Sequence, residues 1–220
     1  KDMFYTGLPE IKDVLHSQDG TIKLGIAASD GRIMESVLIP EKDRNTLCIS
    51  SQIGCRMGCK FCVTGKIGFI RNLSAAEMIG QIMAAKKYLG EQRITNIVFM
   101  GMGEPLHNYD SVLAAFRILS DPEGFGIAPR HVTLSTAGVI PGLLRLAKEK
   151  PRPRIAVSLS ATTDRLRDEL MPVNRAYPLS ALFEALRGIP LAPRERISPS
   201  ASRSRHSSSR FMFSGVGRTP

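Results

Sequence analysis

No apolar run in the 220-residue chain approaches the ~20 residues needed to cross a bilayer. The opening stretch, KDMFYTGLPE, lacks the long apolar segment of a secretory leader. Both absences point to a cytoplasmic protein with no membrane partner, in a compartment that keeps thiols reduced. Cysteine is scarce: there are four, Cys48, Cys55, Cys59 and Cys62, and none follows Cys62. An all-thiolate zinc site usually takes two CxxC pairs set well apart. Here only Cys59 and Cys62 make such a pair, and Cys48 has no partner two to four residues away. The histidines, His16, His107, His131 and His206, are too scattered to complete a zinc motif.

What is present is a dense thiol loop. Cys55, Cys59 and Cys62 follow a C-x3-C-x2-C spacing, with Phe61 just before the last. Soft thiolates gathered this way select iron–sulfur clusters, zinc or Cu(I). Three ligands from one loop suit a cubane whose fourth iron has no protein ligand and can take a small chelating molecule.

The hydrophobic content of 43% is that of an ordinary globular protein, and the length allows a real core. The net charge is +10, which invites a nucleic-acid partner. Its placement weakens that inference, because residues 191–220 hold six Arg and the single acid Glu195.

Along the chain, residues 10–40 read as an antiparallel meander, with hairpin turns at Asp19-Gly20 and Asp30-Gly31. On its last strand Glu35 shares a face with Ile33 and Val37, and pattern alone makes it a solvated edge carboxylate. Leu47–Ser51 reads as a strand leading into the cysteine loop. Ser74-Ala-Ala-Glu77 is a capping box that opens a helix to about Leu89, with Gly90 as its stop. Strands at 94–101, 131–135 and 155–160 then alternate with helices at about 109–120, 140–150, 164–170 and 179–186. That order is the α/β pattern of a parallel sheet. The apolar run Ile94–Gly101 reads as a strand buried on both faces. In such folds ligand sites gather at the carboxyl ends of strands.

With these pieces placed, a family resemblance is visible. CISSQIGCRMGCKFCVTGKIGFIRNL, NIVFMGMGEPLHNYD, VTLSTAGVIPGL, VSLSATTDRLRDELMPVNRAYPL and RIMESVLIP resemble, in order, motifs of the RlmN/Cfr group of radical SAM RNA methyltransferases, most closely the RlmN branch. The resemblance implies an α/β fold: an incomplete (β/α) barrel of about four βα units with an N-terminal antiparallel extension. It divides the chain into an extension over residues 1–45, a truncated radical SAM core over 46–190, and a Ser/Arg-rich tail over 191–220. It implies a 4Fe–4S cluster on Cys55, Cys59 and Cys62, and S-adenosylmethionine (SAM) bound by Gly103, Glu104, Ser135, Ser158, Leu159 and Ser160. The family usually carries His where Ser160 stands. Glu35 matches the family's proton acceptor. Cys48 matches the thiol that resolves a protein–RNA intermediate by forming a disulfide.

The implied activity is methyl transfer from SAM to carbon 2 of an adenosine in 23S rRNA, and in tRNA, by a monomer served by a flavodoxin-type electron donor. In the implied mechanism a second cysteine is methylated first, and a SAM-derived radical then activates that methyl group, because carbon 2 has no nucleophilic lone pair. The family's methyl-accepting cysteine lies past the fourth repeat, where this sequence has none. After Ile197 the text holds eight Ser and four Arg in 23 residues and reads as disordered. It looks like replaced sequence joined to a truncated enzyme, which would leave strand 155–160 an open sheet edge. Two alternatives stay open: another radical SAM enzyme, and a non-catalytic cysteine–metal module that binds RNA.

Overall fold

The computed structural model describes residues 7–191 and 195–200. Four antiparallel strands come first: β1 (Ile11–His16), β2 (Ile22–Ala27), β3 (Ile33–Glu41) and β4 (Arg44–Ile49). Turns centred on Asp19-Gly20 and Asp30-Gly31 join the first three. Each turn is fixed by its aspartate, which accepts from a backbone N–H two residues on, Thr21 at 3.0 Å and Arg32 at 3.1 Å. A short ribbon of β5 (Gln52–Gly54) and β6 (Phe69–Asn72) follows, with the five-residue helix α1 (Val63–Ile67) between its arms.

Helix α2 (Ala75–Leu89) starts at the expected capping box. Ser74 accepts from Glu77 N, Glu77 reaches back to Ser74 N, and Gly90 ends the helix. Then come β7 (Asn96–Phe99), α3 (Tyr109–Ser120), β8 (Val132–Thr136), α4 (Ile140–Leu146), β9 (Arg154–Ser158), α5 (Asp164–Leu170), α6 (Leu179–Arg187) and β10 (Ser198–Ser200). Helix α4 is shorter than its pattern suggested; the chain leaves it ahead of Pro151 and Pro153.

The strands form one eight-stranded sheet in the order β1-β2-β3-β4-β7-β8-β9-β10. The meander and the α/β part therefore share a sheet, because β4 pairs antiparallel with β3 on one side and parallel with β7 on the other. Pairing stays parallel through β8, β9 and β10. Two expectations need correction. Ser198–Ser200, in a stretch without strand period, pair with Ala156–Ser158, so the edge of β9 is covered there. Backbone hydrogen bonding does not need apolar side chains, which is why composition hid the strand. Residues 201–220 lie outside the described part.

The second correction concerns β7. It alternates half-buried and buried residues instead of being buried on both faces. Register explains this. Leu47, Ile49, Ile97, Phe99, Leu134, Ile155 and Val157 line one face and are at most 2% exposed, packed under the helices. The opposite face carries Cys48, Val98, Thr133, Ser135, Ala156 and Ser158, which are small or polar. Among the described residues, no helix is long and apolar enough to cross a membrane.

One buried amide ties the helix layer to the sheet. Gln81 of α2, wholly out of water, accepts from Ser50 N at 2.8 Å and from Ser36 Oγ at 2.9 Å, and donates to Ser50 O at 2.9 Å. Gln81→Leu keeps the volume but leaves those groups unpaired. It should lower stability by about 3 kcal/mol in urea unfolding; a loss under about 1 kcal/mol would show the node to be unimportant.

Candidate active site

The β5–β6 ribbon pinches the two ends of the cysteine loop together. Gly54 has φ of 74°, and a Cβ there would lie 1.9 Å from the Gly68 carbonyl oxygen, so only glycine fits. The next residue uses the same carbonyl: Cys55 N donates to Gly68 O at 2.9 Å. Within the loop, Cys62 N donates to Cys59 O at 3.0 Å, and Cys62 leads into α1. Cys55 and Cys59 are buried and Cys62 is half-buried, while Phe61 is 50% exposed at the mouth.

Burial pushes the Cys55 thiol up to about 11, with the neighbouring Cys62 adding to the rise. It pushes Cys59 to about 12, helped by Cys62 and Cys55. The three thiols thus share one electrostatic neighbourhood, and a metal that binds them must displace protons. Among the described residues, no three His, Cys, Asp or Glu side chains gather closely enough for a single ion. A cubane instead spreads its thiolates over separate irons. Two residues past Cys62, Thr64 Oγ1 is buried without a hydrogen-bond partner. Three soft thiols from one loop, two of them buried, suit a cluster that each holds through its own iron, so the residues present fit it.

Beside the thiols lies Glu104, 3% exposed. Its Oε1 accepts from Leu106 N at 3.1 Å and its Oε2 from Ala137 N at 2.8 Å. Burial raises its pKa despite these donors, and its charge is felt by both Cys55 and Cys59. A buried carboxylate of this kind suits an ammonium-bearing ligand. Gly103, just before it, has φ of 103°, and a Cβ there would lie 2.6 Å from the Gln52 side chain. That close approach is needed, because Gln52 Oε1 accepts from Glu104 N at 2.9 Å. Glycine at 103 therefore aims the carboxylate.

The strand-borne candidates share one face of the sheet. Val37 is the register partner of Cys48, Cys48 of Val98, Val98 of Thr133, and Ser135 of Ala156. Two-residue alternation then puts Glu35, Cys48, Ser135 and Ser158 on that same face. Leu159 and Ser160 continue the chain at its carboxyl rim, and Ser160 takes a left-handed φ of 55°. Cys48 is 4% exposed, and burial alone pushes its thiol up to about 11.

Glu35 is not the solvated edge carboxylate its pattern suggested. Strand β3 lies inside the sheet, and the Glu35 carboxylate takes the buried Lys23 ammonium at 3.0 Å. Lys23 was missed in sequence because a lysine in a strand is ordinarily solvated. Its signal was alternation, since the register places it beside Val37 on the Glu35 face. Three other supports were also missed. Ser50 Oγ donates to Glu35 O at 2.6 Å and accepts from Met102 N at 2.9 Å, linking β3 to the Gly101–Glu104 loop. Asn108 Nδ2 bonds Ser51 O and Leu73 O, at 2.8 and 2.7 Å. Gln52 is the third. All are buried polar residues at the ends of elements or between them, and no periodicity marks them.

The family model described as the Radical SAM superfamily matches residues 49–190. The chain belongs to the radical SAM superfamily. Membership implies a 4Fe–4S cluster and SAM as cofactors. Within the superfamily, the chain is 56% identical over 182 residues to the dual-specificity RNA methyltransferase RlmN of Syntrophobacter fumaroxidans, covering 82% of this chain and 53% of that protein. It is 54% identical over 181 residues to a probable dual-specificity RNA methyltransferase RlmN of Moorella thermoacetica, covering 79% and 51%. The crystal structure of a radical SAM methyltransferase from Sphaerobacter thermophilus superposes with a TM-score of 0.78 at 43% identity, covering 82% of this chain and 54% of that one. The chain spans about half the length of the curated relatives it matches.

The Glu104 site makes a pH prediction. Its raised pKa means that the folded chain holds this proton more tightly than the unfolded chain does. Stability therefore falls as pH rises from the ordinary value of 4.5 through the higher folded value. Urea unfolding of the metal-free chain should show a decline across that range which Glu104→Gln flattens. Parallel curves for the two proteins would refute a buried, proton-holding Glu104.

Proposed function

We propose that this chain is the SAM-cleaving part of an RNA methyltransferase acting on carbon 2 of an adenosine in 23S rRNA and in tRNA. One observation carries the reading: Glu35, Cys48, Ser135 and Ser158 share the polar face of a sheet whose carboxyl rim holds the cysteine loop and Glu104. The relatives named above as dual-specificity RNA methyltransferases supply the substrate class.

In this reading Cys55, Cys59 and Cys62 hold the cluster. Gly103 and Glu104 take the amino group of SAM, and Ser135 with the Ser158–Leu159–Ser160 rim takes the rest. When bound, the cluster supplies the electron and SAM the carbon–sulfur bond that the electron breaks. The chain's own work is positioning. Burial favours the neutral thiol of Cys48, and Lys23 keeps the Glu35 carboxylate in place as a proton acceptor. Phe61, exposed at the loop mouth, offers an apolar surface to the adenine of SAM. Electrons come from an external donor of the flavodoxin type. An adenosine in RNA has to leave its stack to reach this face.

These 220 residues hold no cysteine after Cys62 to carry the methyl group. By themselves they should therefore cleave SAM without methylating RNA. Anaerobic reconstitution should give brown protein with about four iron and four sulfide per chain. With dithionite it should release 5′-deoxyadenosine from SAM, and Cys59→Ala should abolish both colour and cleavage. Colourless protein holding one zinc would refute the cluster. Methylated adenine at ordinary rates from this chain alone would refute the need for a further cysteine.

A further inference from the structure

Arg167 on α5 is the largest side chain wholly withdrawn from water among the described residues. Its Nε donates to Leu159 O at 3.1 Å, and its Nη1 to Asn174 Oδ1 at 2.7 Å. Its Nη2 donates to Ala137 O at 2.7 Å and Ser158 O at 3.4 Å. Every one of these partners is a neutral oxygen. A guanidinium does not give up its proton in a protein, so a permanent cation sits here without a carboxylate in contact. Hydrogen bonds to neutral oxygens offset part of the desolvation of such a charge, and a nearby anion offsets more.

Two carboxylates approach it at one remove. Asn174 Nδ2 donates to Asp164 Oδ1 at 2.9 Å and to Asp168 Oδ1 at 2.7 Å, and the charges of both reach Arg167. Cys59 is a further electrostatic neighbour of Arg167, and its sulfur becomes anionic once it gives up its proton to hold a metal. The backbone explains the proximity. Lys60 N, next to Cys59, donates to Leu170 O at the end of the helix that carries Arg167, at 2.9 Å. The cysteine loop is thus laid against α5.

We propose that Arg167 is the buried counter-charge of the iron–sulfur centre, placed to favour its one-electron reduction. This rests on the cluster reading of the cysteine loop. A cubane held by three thiolates is anionic and gains a further negative charge when reduced, and net charge near a cluster sets its potential. A fixed cation in a dry site stabilises the reduced form more than the oxidised one. The same guanidinium holds the carbonyls of Ala137, Ser158 and Leu159, so the charge stands at the rim where β8 and β9 end.

The test is an EPR-monitored titration of the reconstituted 220-residue chain with dithionite, which supplies the electron. Arg167→Gln should weaken one-electron reduction about tenfold, equivalent to about 59 mV for a one-electron couple. Arg167→Lys, which keeps the charge but loses the fork, should stay within about twofold of wild type. Equal potentials in wild type and Arg167→Gln would overturn the proposal. So would equal losses in both variants, which would assign the effect to packing. Should Arg167→Gln fail to fold, Asp168→Asn decides. Removing that carboxylate should ease reduction, and an unchanged potential would overturn the counter-charge role. A wild-type chain that takes up no iron would instead refute the cluster reading, a separate failure.

Discussion

Ser50 is the point at which the structure is tied together. Its backbone N–H and carbonyl both bond to the side chain of Gln81, which anchors α2 to the end of β4. Its hydroxyl lies between the Glu35 carbonyl and the Met102 N–H, which anchors the antiparallel part to the Gly101–Glu104 loop. Ser51 and Gln52 continue the arrangement, with both of their N–H groups directed to Met102 O. A buried segment without regular pairing must find partners for its polar groups. Here those partners are the groups that set where the cysteine loop begins and where Glu104 points.

From that constraint follows the division of labour across the sheet. The helix-facing side is filled by Leu, Ile, Val and Phe side chains that bury apolar area and supply stability. The other side is left with small, polar or ionisable residues. The charges on that side and at its carboxyl rim are each handled separately. Glu35 is paired with Lys23. Glu104 is held by backbone donors. Arg167 is bonded to strand-end carbonyls. Pairing, donor coordination and carbonyl binding all offset desolvation, but only the first neutralises charge locally. The other two leave opposite charges close to the cysteine loop, where an anionic centre and an ammonium-bearing cofactor would complete them.

Much of the fold was legible because local chemistry agreed with the final structure. The Asp-Gly turns, the Ser74–Glu77 capping box and Gly90 fall where turn and cap signals put them, and the helices Tyr109–Ser120 and Asp164–Leu170 where the alternating strand–helix pattern put them. The β5–β6 ribbon, α1 and β10 were not legible. Each is held by a distant partner rather than by its own pattern: Gly54 against Gly68, the Cys59–Cys62 turn, and Ser198–Ser200 on Ala156–Ser158.

The sequence by itself determined the thiol loop, because ligand spacing is a local property that one short segment can carry. It also determined the order of the main strands and helices, since apolar period and capping residues act over a few positions. Only the tertiary structure decided that Glu35 is paired with a buried lysine and that Cys48 is shielded from water. It alone placed Arg167 beside the loop, more than a hundred positions away in the chain. Burial and electrostatic pairing depend on which strands become neighbours, and no window of sequence contains that information.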